Sequence, residues 1–163
     1  MNAHDSIMVT MDMSAMVLTK YISDLSDNEL MMRPGPGCNH VAWQLGHLIS
    51  AEVSLLNMVC PGKGAELPAG FAENHSKDAA GSDDRAQFAT KQEYLELFEK
   101  VRSATKATLA ELSAADLDQP GPEQFRNMFP TVGHLFVLIS THGMMHAGQF
   151  VPLRRALSKP VLI

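Results

Sequence analysis

Disulfides cannot organise this chain. Its only cysteines are Cys38 and Cys60, too few for a disulfide framework. The fold must rest on a buried core, which a 163-residue chain is long enough to build. Basic charge is also scarce. The net charge is −5, and the 13 Lys and Arg are scattered, with no cluster beyond Arg154 and Arg155. That excludes the basic stripe of a nucleic-acid binder. No apolar run reaches the roughly 18 residues that a membrane span needs. The N-terminus has His4, Asp5 and Asp12 but no basic segment, so no signal peptide is expected there. The expected compartment is the cytoplasm, where both thiols stay reduced. Period-two alternation and internal repeats are missing too, which argues against sheets and solenoids. With 45% apolar and 19% charged residues, the chain reads as one globular domain over 1–163.

The sequence is rich in methionine (11) and histidine (7). Met8, Met11, Met13 and Met16 suit irregular core space near the N-terminus. Met11, Ala15, Leu18, Ile22 and Leu25 recur with helical period, predicting a first helix over about 6–25. Ser26–Glu29 is a capping-box pattern, and Pro34-Gly35-Pro36-Gly37 breaks the chain. A second helix over about 39–59 follows, with Asn39 as its expected cap. The Gly-rich stretch 61–84 is too long for an ordinary loop. It suggests a crossover along the bundle or a lid. A third helix opens at Thr90 with another capping box. Tyr94, Leu97, Phe98, Val101, Ala104, Thr105, Thr108 and Leu112 form its inner face. Lys91, Glu96, Glu99, Lys100, Arg102 and Lys106 fall on a solvated one. A fourth helix runs from about 130 to 157, with a kink or early end at Pro152. The expected fold is all-α: a four-helix bundle with a long crossover between helices 2 and 3.

In the fourth helix, His146 lies about 40° from His142, and Leu135, Leu138, Ile139 and Leu153 lie within about 60° of it. Both imidazoles therefore sit in the apolar stripe, where each nitrogen needs a partner. A divalent metal satisfies both, and i, i+4 histidines are a common way for a helix to offer two ligands. Two core histidines bonded to side chains or water are the other reading. Gln149 shares their face as a supporting amide or a core one. For a third ligand, His47 lies on a small, polar side of helix 2 beside Gln44, Ala51 and Ser54, a surface that suits the lining of a cavity and equally a face packed against loops. His40 reads as a loop or capping residue, and His134 lies about 80° away from His142. His4 and His75 read as solvated. Glu52 falls inside the apolar arc of helix 2, which points to a buried hydrogen-bond partner or a subunit interface rather than a ligand. Cys38 precedes a helix N-terminus, a setting that lowers a thiol pKa, but an inert cysteine fits as well.

Two strings taken together resemble the DinB family of metalloenzymes: Asn39-His40-Val41-Ala42-Trp43-Gln44-Leu45-Gly46-His47-Leu48, with Glu52 beyond it, and His142-Gly143-Met144-Met145-His146-Ala147-Gly148-Gln149. The resemblance extends over nearly the whole chain. It implies a four-helix bundle, a homodimer, and a divalent ion such as Ni or Zn held by His47, His142 and His146. Relatives often carry a basic residue after the second histidine of the last helix, where this chain has Ala147. That departure argues against an anion or thiol-cofactor contact from this position.

Three neutral imidazoles leave a metal with an open position, the pattern of a catalytic site. A water there becomes acidic near neutral pH, and a thiol deprotonates. The family resemblance therefore implies a small-thiol S-transferase acting on an electrophile, with 61–84 shaping the pocket. A metal-dependent hydrolase is the second enzymatic reading. A non-catalytic dimeric bundle with a structural or sensory metal is the third.

Overall fold

A computed structural model describes residues 1–162. Its helices are α1 (Ala3–Ile22), α2 (Asp27–Leu30), α3 (Val41–Val59), α4 (Phe71–Asn74), α5 (Lys91–Glu111), α6 (Ala114–Leu117), α7 (Val132–Gln149) and α8 (Val151–Ala156). The four long ones form the expected bundle, and no strand occurs among the described residues. The first helix begins earlier than its apolar period suggests, because Asn2 caps it reciprocally with Asp5. Ser26 and Thr90 each form the predicted capping box. The cap of α3 is His40, not Asn39: its Nδ1 accepts the Trp43 N–H at 3.0 Å. The last helix breaks at Phe150, and Pro152 opens the short α8, where its missing N–H costs nothing.

Contacts fix the helix directions. Leu45 and Ile49 meet Tyr94 and Phe98 at one end of the bundle, Glu52 meets Arg102 midway, and Lys63 meets Glu111 at the far end. So α3 and α5 run parallel. Ile7 shares a groove with Gly133 and Val137, while Arg154 reaches back to Tyr21 and Asp24. So α1 and α7 are parallel as well. The two pairs are antiparallel: Gln44 meets His146, and Lys106 meets Asp12. Because α3 and α5 point the same way, residues 60–90 must travel back along the bundle. That is the predicted crossover. Lys100 Nζ donates to the Glu66 carbonyl, Trp43 Nε1 to that of Ser76, and His40 Nε2 to that of Ser82. These contacts pin the segment along α5 and then over the start of α3.

The core has two apolar clusters. One contains Leu18, Ile22, Leu45, Ile49, Phe98 and Phe150. The other contains Ile7, Met11, Leu55, Leu109, Leu135 and Ile139. Arg102 is not on a wet face: it is buried at 3% exposure. Its Nη2 pairs with Oε2 of buried Glu52 at 2.9 Å. A charge inside a core needs such a partner.

Candidate metal centre

The i, i+4 spacing on α7 brings the rings of His142 and His146 to 4.9 Å between centroids. The antiparallel approach of α3 adds His47, with its ring 5.5 Å from each of the others. One nitrogen from each of the three lies within 4.8 Å of the other two. Imidazole nitrogens around a tetrahedral ion stand roughly 3–3.5 Å apart, given metal–nitrogen lengths of about 2.0–2.1 Å. Small side-chain rotations close that difference, so the donor set fits one divalent cation. His146 is buried, while His47 and His142 are half-buried.

Burial pushes the pKa of all three below that of an ordinary histidine. For His47, the neighbouring Lys77 adds to the effect. His142 is lowered to about 4 by burial, then by His47 and Arg102. His146 is lowered to about 3 by burial, then by His142 and His47. All three imidazoles are therefore neutral at neutral pH, with lone pairs free for a cation.

Each helix also orients its ligands. His146 Nδ1 donates to Gln44 Oε1 at 2.8 Å, and Gln44 Nε2 donates to the Asn39 carbonyl at 2.8 Å. These bonds leave the lone pair of His146 Nε2 free for a cation, and a hydrogen bond on the other nitrogen is the usual outer support of a metal-bound histidine. Gln44 takes the supporting role; the exposed Gln149 does not. Its signal was its place beside His47 on the small, polar side of the helix. Trp43 lies flat against His47 and donates its indole N–H to the Ser76 carbonyl at 3.0 Å.

The other histidines lie outside the cluster. His134 is exposed and bonds the Thr131 hydroxyl, while His4 reaches the Leu112 carbonyl and is only partly exposed. His75 is not solvated: it is 2% exposed, its Nδ1 donates to the Phe71 carbonyl and its Nε2 accepts from the Tyr94 hydroxyl. Glu52 has the buried partner expected of it, Arg102. Cys38 and Cys60 are unpaired, and burial raises the Cys60 pKa.

The profile of the DinB superfamily matches residues 10–150. Among solved structures, the chain resembles YfiT from Bacillus subtilis, described as a probable metal-dependent hydrolase with an unusual four-helix bundle topology. The identity is 16%, the TM-score 0.68, and the match covers 96% of this chain and 89% of that one. It also resembles a conserved protein from Enterococcus faecalis at 18% identity and TM-score 0.68, over 98% and 99% of the two chains. No curated protein matches the chain.

Proposed function

The chain belongs to the DinB superfamily, and from that premise we propose that it is a divalent-metal-dependent enzyme with His47, His142 and His146 as metal ligands. The convergence of three neutral imidazoles, two of them partly exposed, carries this reading. When bound, a Zn or Ni ion there supplies Lewis acidity that makes a water or a thiol nucleophilic near neutral pH. The protein's own work is to hold three ring nitrogens unprotonated and to orient them. Gln44 holds the His146 tautomer, and Trp43 backs His47.

Two reaction classes suit this site. Hydrolysis draws support from the fold shared with YfiT. Transfer of a small thiol to an electrophile suits the same donor set, because a metal that deprotonates a bound thiol needs no separate general base. We further propose a cytoplasmic homodimer. Val9, Met13 and Met16 stand exposed along one stripe of α1, and Val137 and Met144 along one of α7, an apolar surface that a second copy would cover.

Metal analysis by mass spectrometry on untagged protein tests the reading. We expect about one divalent ion per chain in the wild type, lost in His142→Ala. Absence of metal in the wild type after reconstitution with zinc and nickel overturns it. Ester-cleavage and thiol–electrophile assays on the loaded protein then separate the two reaction classes. An open site binds an exchangeable solvent ligand, whereas a closed structural site does not.

A further inference from the structure

Midway along the bundle, each long helix places a polar residue between the two apolar clusters: Ser14 on α1, Glu52 on α3, Arg102 on α5 and His142 on α7. The Glu52–Arg102 pair is buried, each side chain 4% exposed. It is also incompletely satisfied. The Thr105 hydroxyl, bonded to the Val101 carbonyl, also lies near the Glu52 carboxylate, yet Glu52 Oε1 and the Nε and Nη1 of Arg102 have no hydrogen-bond partner. Glu52, Arg102 and His142 line one enclosed void that has no room for a water molecule, and the rest of its lining is apolar or glycine.

A neutral imidazole that gives one nitrogen to a cation carries its proton on the other, and that N–H requires an acceptor. His146 has one in Gln44. Around the void beside His142, Arg102 offers only donors, while Glu52 offers an unpartnered carboxylate oxygen. We propose that Glu52 is a positioning residue of the metal centre. Its Oε1 accepts the N–H of His142 once the other ring nitrogen serves as ligand, while its Oε2 stays on Arg102. The inference rests on the metal-centre reading above. It gives the buried ion pair a purpose that packing alone does not supply, since apolar residues of similar volume are often as stabilising in a core. Arg102 anchors the carboxylate, and the carboxylate fixes the His142 ring and makes it a stronger donor to the cation.

Two readouts test this. The first is affinity for zinc by chelator competition. Glu52→Leu/Arg102→Leu removes both charges without leaving an unpaired buried one, and Glu52→Gln/Arg102→Leu keeps an acceptor. We expect the Leu/Leu variant to bind zinc about 10–100-fold more weakly and the Gln/Leu variant to recover most of the loss. Unchanged affinity in Leu/Leu overturns the proposal. The second readout needs no variant: the imidazole 15N spectrum of zinc-loaded wild type. A slowly exchanging, hydrogen-bonded His142 N–H supports the proposal. A His142 N–H that exchanges freely with solvent overturns it. Wild-type protein that takes up no zinc would sink the metal-centre reading and this proposal with it, whereas normal zinc uptake with a freely exchanging His142 N–H would sink the proposal alone.

Discussion

Trp43 stacks on His47, with ring centroids 4.9 Å apart and planes only 5° from parallel. Trp43 is the single tryptophan of the chain, so its emission reports on one ring only. We predict that zinc or nickel changes Trp43 fluorescence saturably at one equivalent per chain. Chelation should reverse the change, and His146→Ala, which leaves the stack in place, should abolish it. An emission spectrum indifferent to metal, under conditions where mass spectrometry finds metal bound, would place the ion elsewhere.

Gln44 accepts from His146 within a buried chain that ends on the Asn39 carbonyl. Gln44→Leu keeps the volume and removes the acceptor. It should weaken metal affinity about 10–100-fold and destabilise the metal-free protein by about 1–3 kcal/mol, the cost of a buried orphaned N–H. Gln44→Glu keeps an acceptor and should retain more affinity than Gln44→Leu. Calorimetric titration checks the order, and equal affinities for the two variants would remove Gln44 from the site.

The metal-free protein should also lose stability in acid. His142 and His146 fall from the ordinary 6.5 to about 4 and about 3 in the folded chain, mainly through burial. Between pH 6.5 and 4 the unfolded chain therefore binds protons that the folded chain refuses, so stability falls as pH falls through that window. Above it both states are neutral and the effect vanishes. Melting temperatures from pH 7.5 to 5 should drop in the wild type and drop less in His142→Gln/His146→Gln. Parallel curves for the two proteins would show that these histidines do not carry the acid sensitivity.

What could be read in advance followed the range of each signal. The pairing of His142 with His146 depends on one helix's period, so spacing alone located it. The crossover was visible as a segment too long for a turn, and the parallel α3 and α5 explain it. Choosing His47 over His40 and His134 needed the family pattern, because spacing within α3 cannot say which face meets α7. Gln44 was visible as a polar neighbour of His47, but its role depends on the antiparallel register that sets it opposite His146. Arg102 was misplaced by its charge. Its angular position, one turn from Phe98 and close to Thr105, is interior, and only the carboxylate on α3 makes that tolerable. His75 sits in a stretch rich in glycine and charge, and its burial is decided by distant partners, Tyr94 and Gly46.

Gly46 makes room for that burial and gives the last prediction. A Cβ at this position would stand 2.0 Å from Cδ2 and 2.2 Å from Nε2 of His75. The ring cannot step aside cheaply, because both of its nitrogens are bonded, to the Phe71 carbonyl and the Tyr94 hydroxyl. Gly46→Ala should therefore expel His75 and free the crossover beside Trp43. The overpacking should cost about 1–3 kcal/mol, read by urea denaturation. Faster proteolysis within residues 61–90 should accompany it. The matching test is non-additivity. His75→Ala removes the obstructing ring, so Gly46→Ala/His75→Ala should be more stable than the sum of the two single losses implies. Strict additivity would show that the ring and the glycine do not constrain each other, and that something other than His75 holds the crossover against α3.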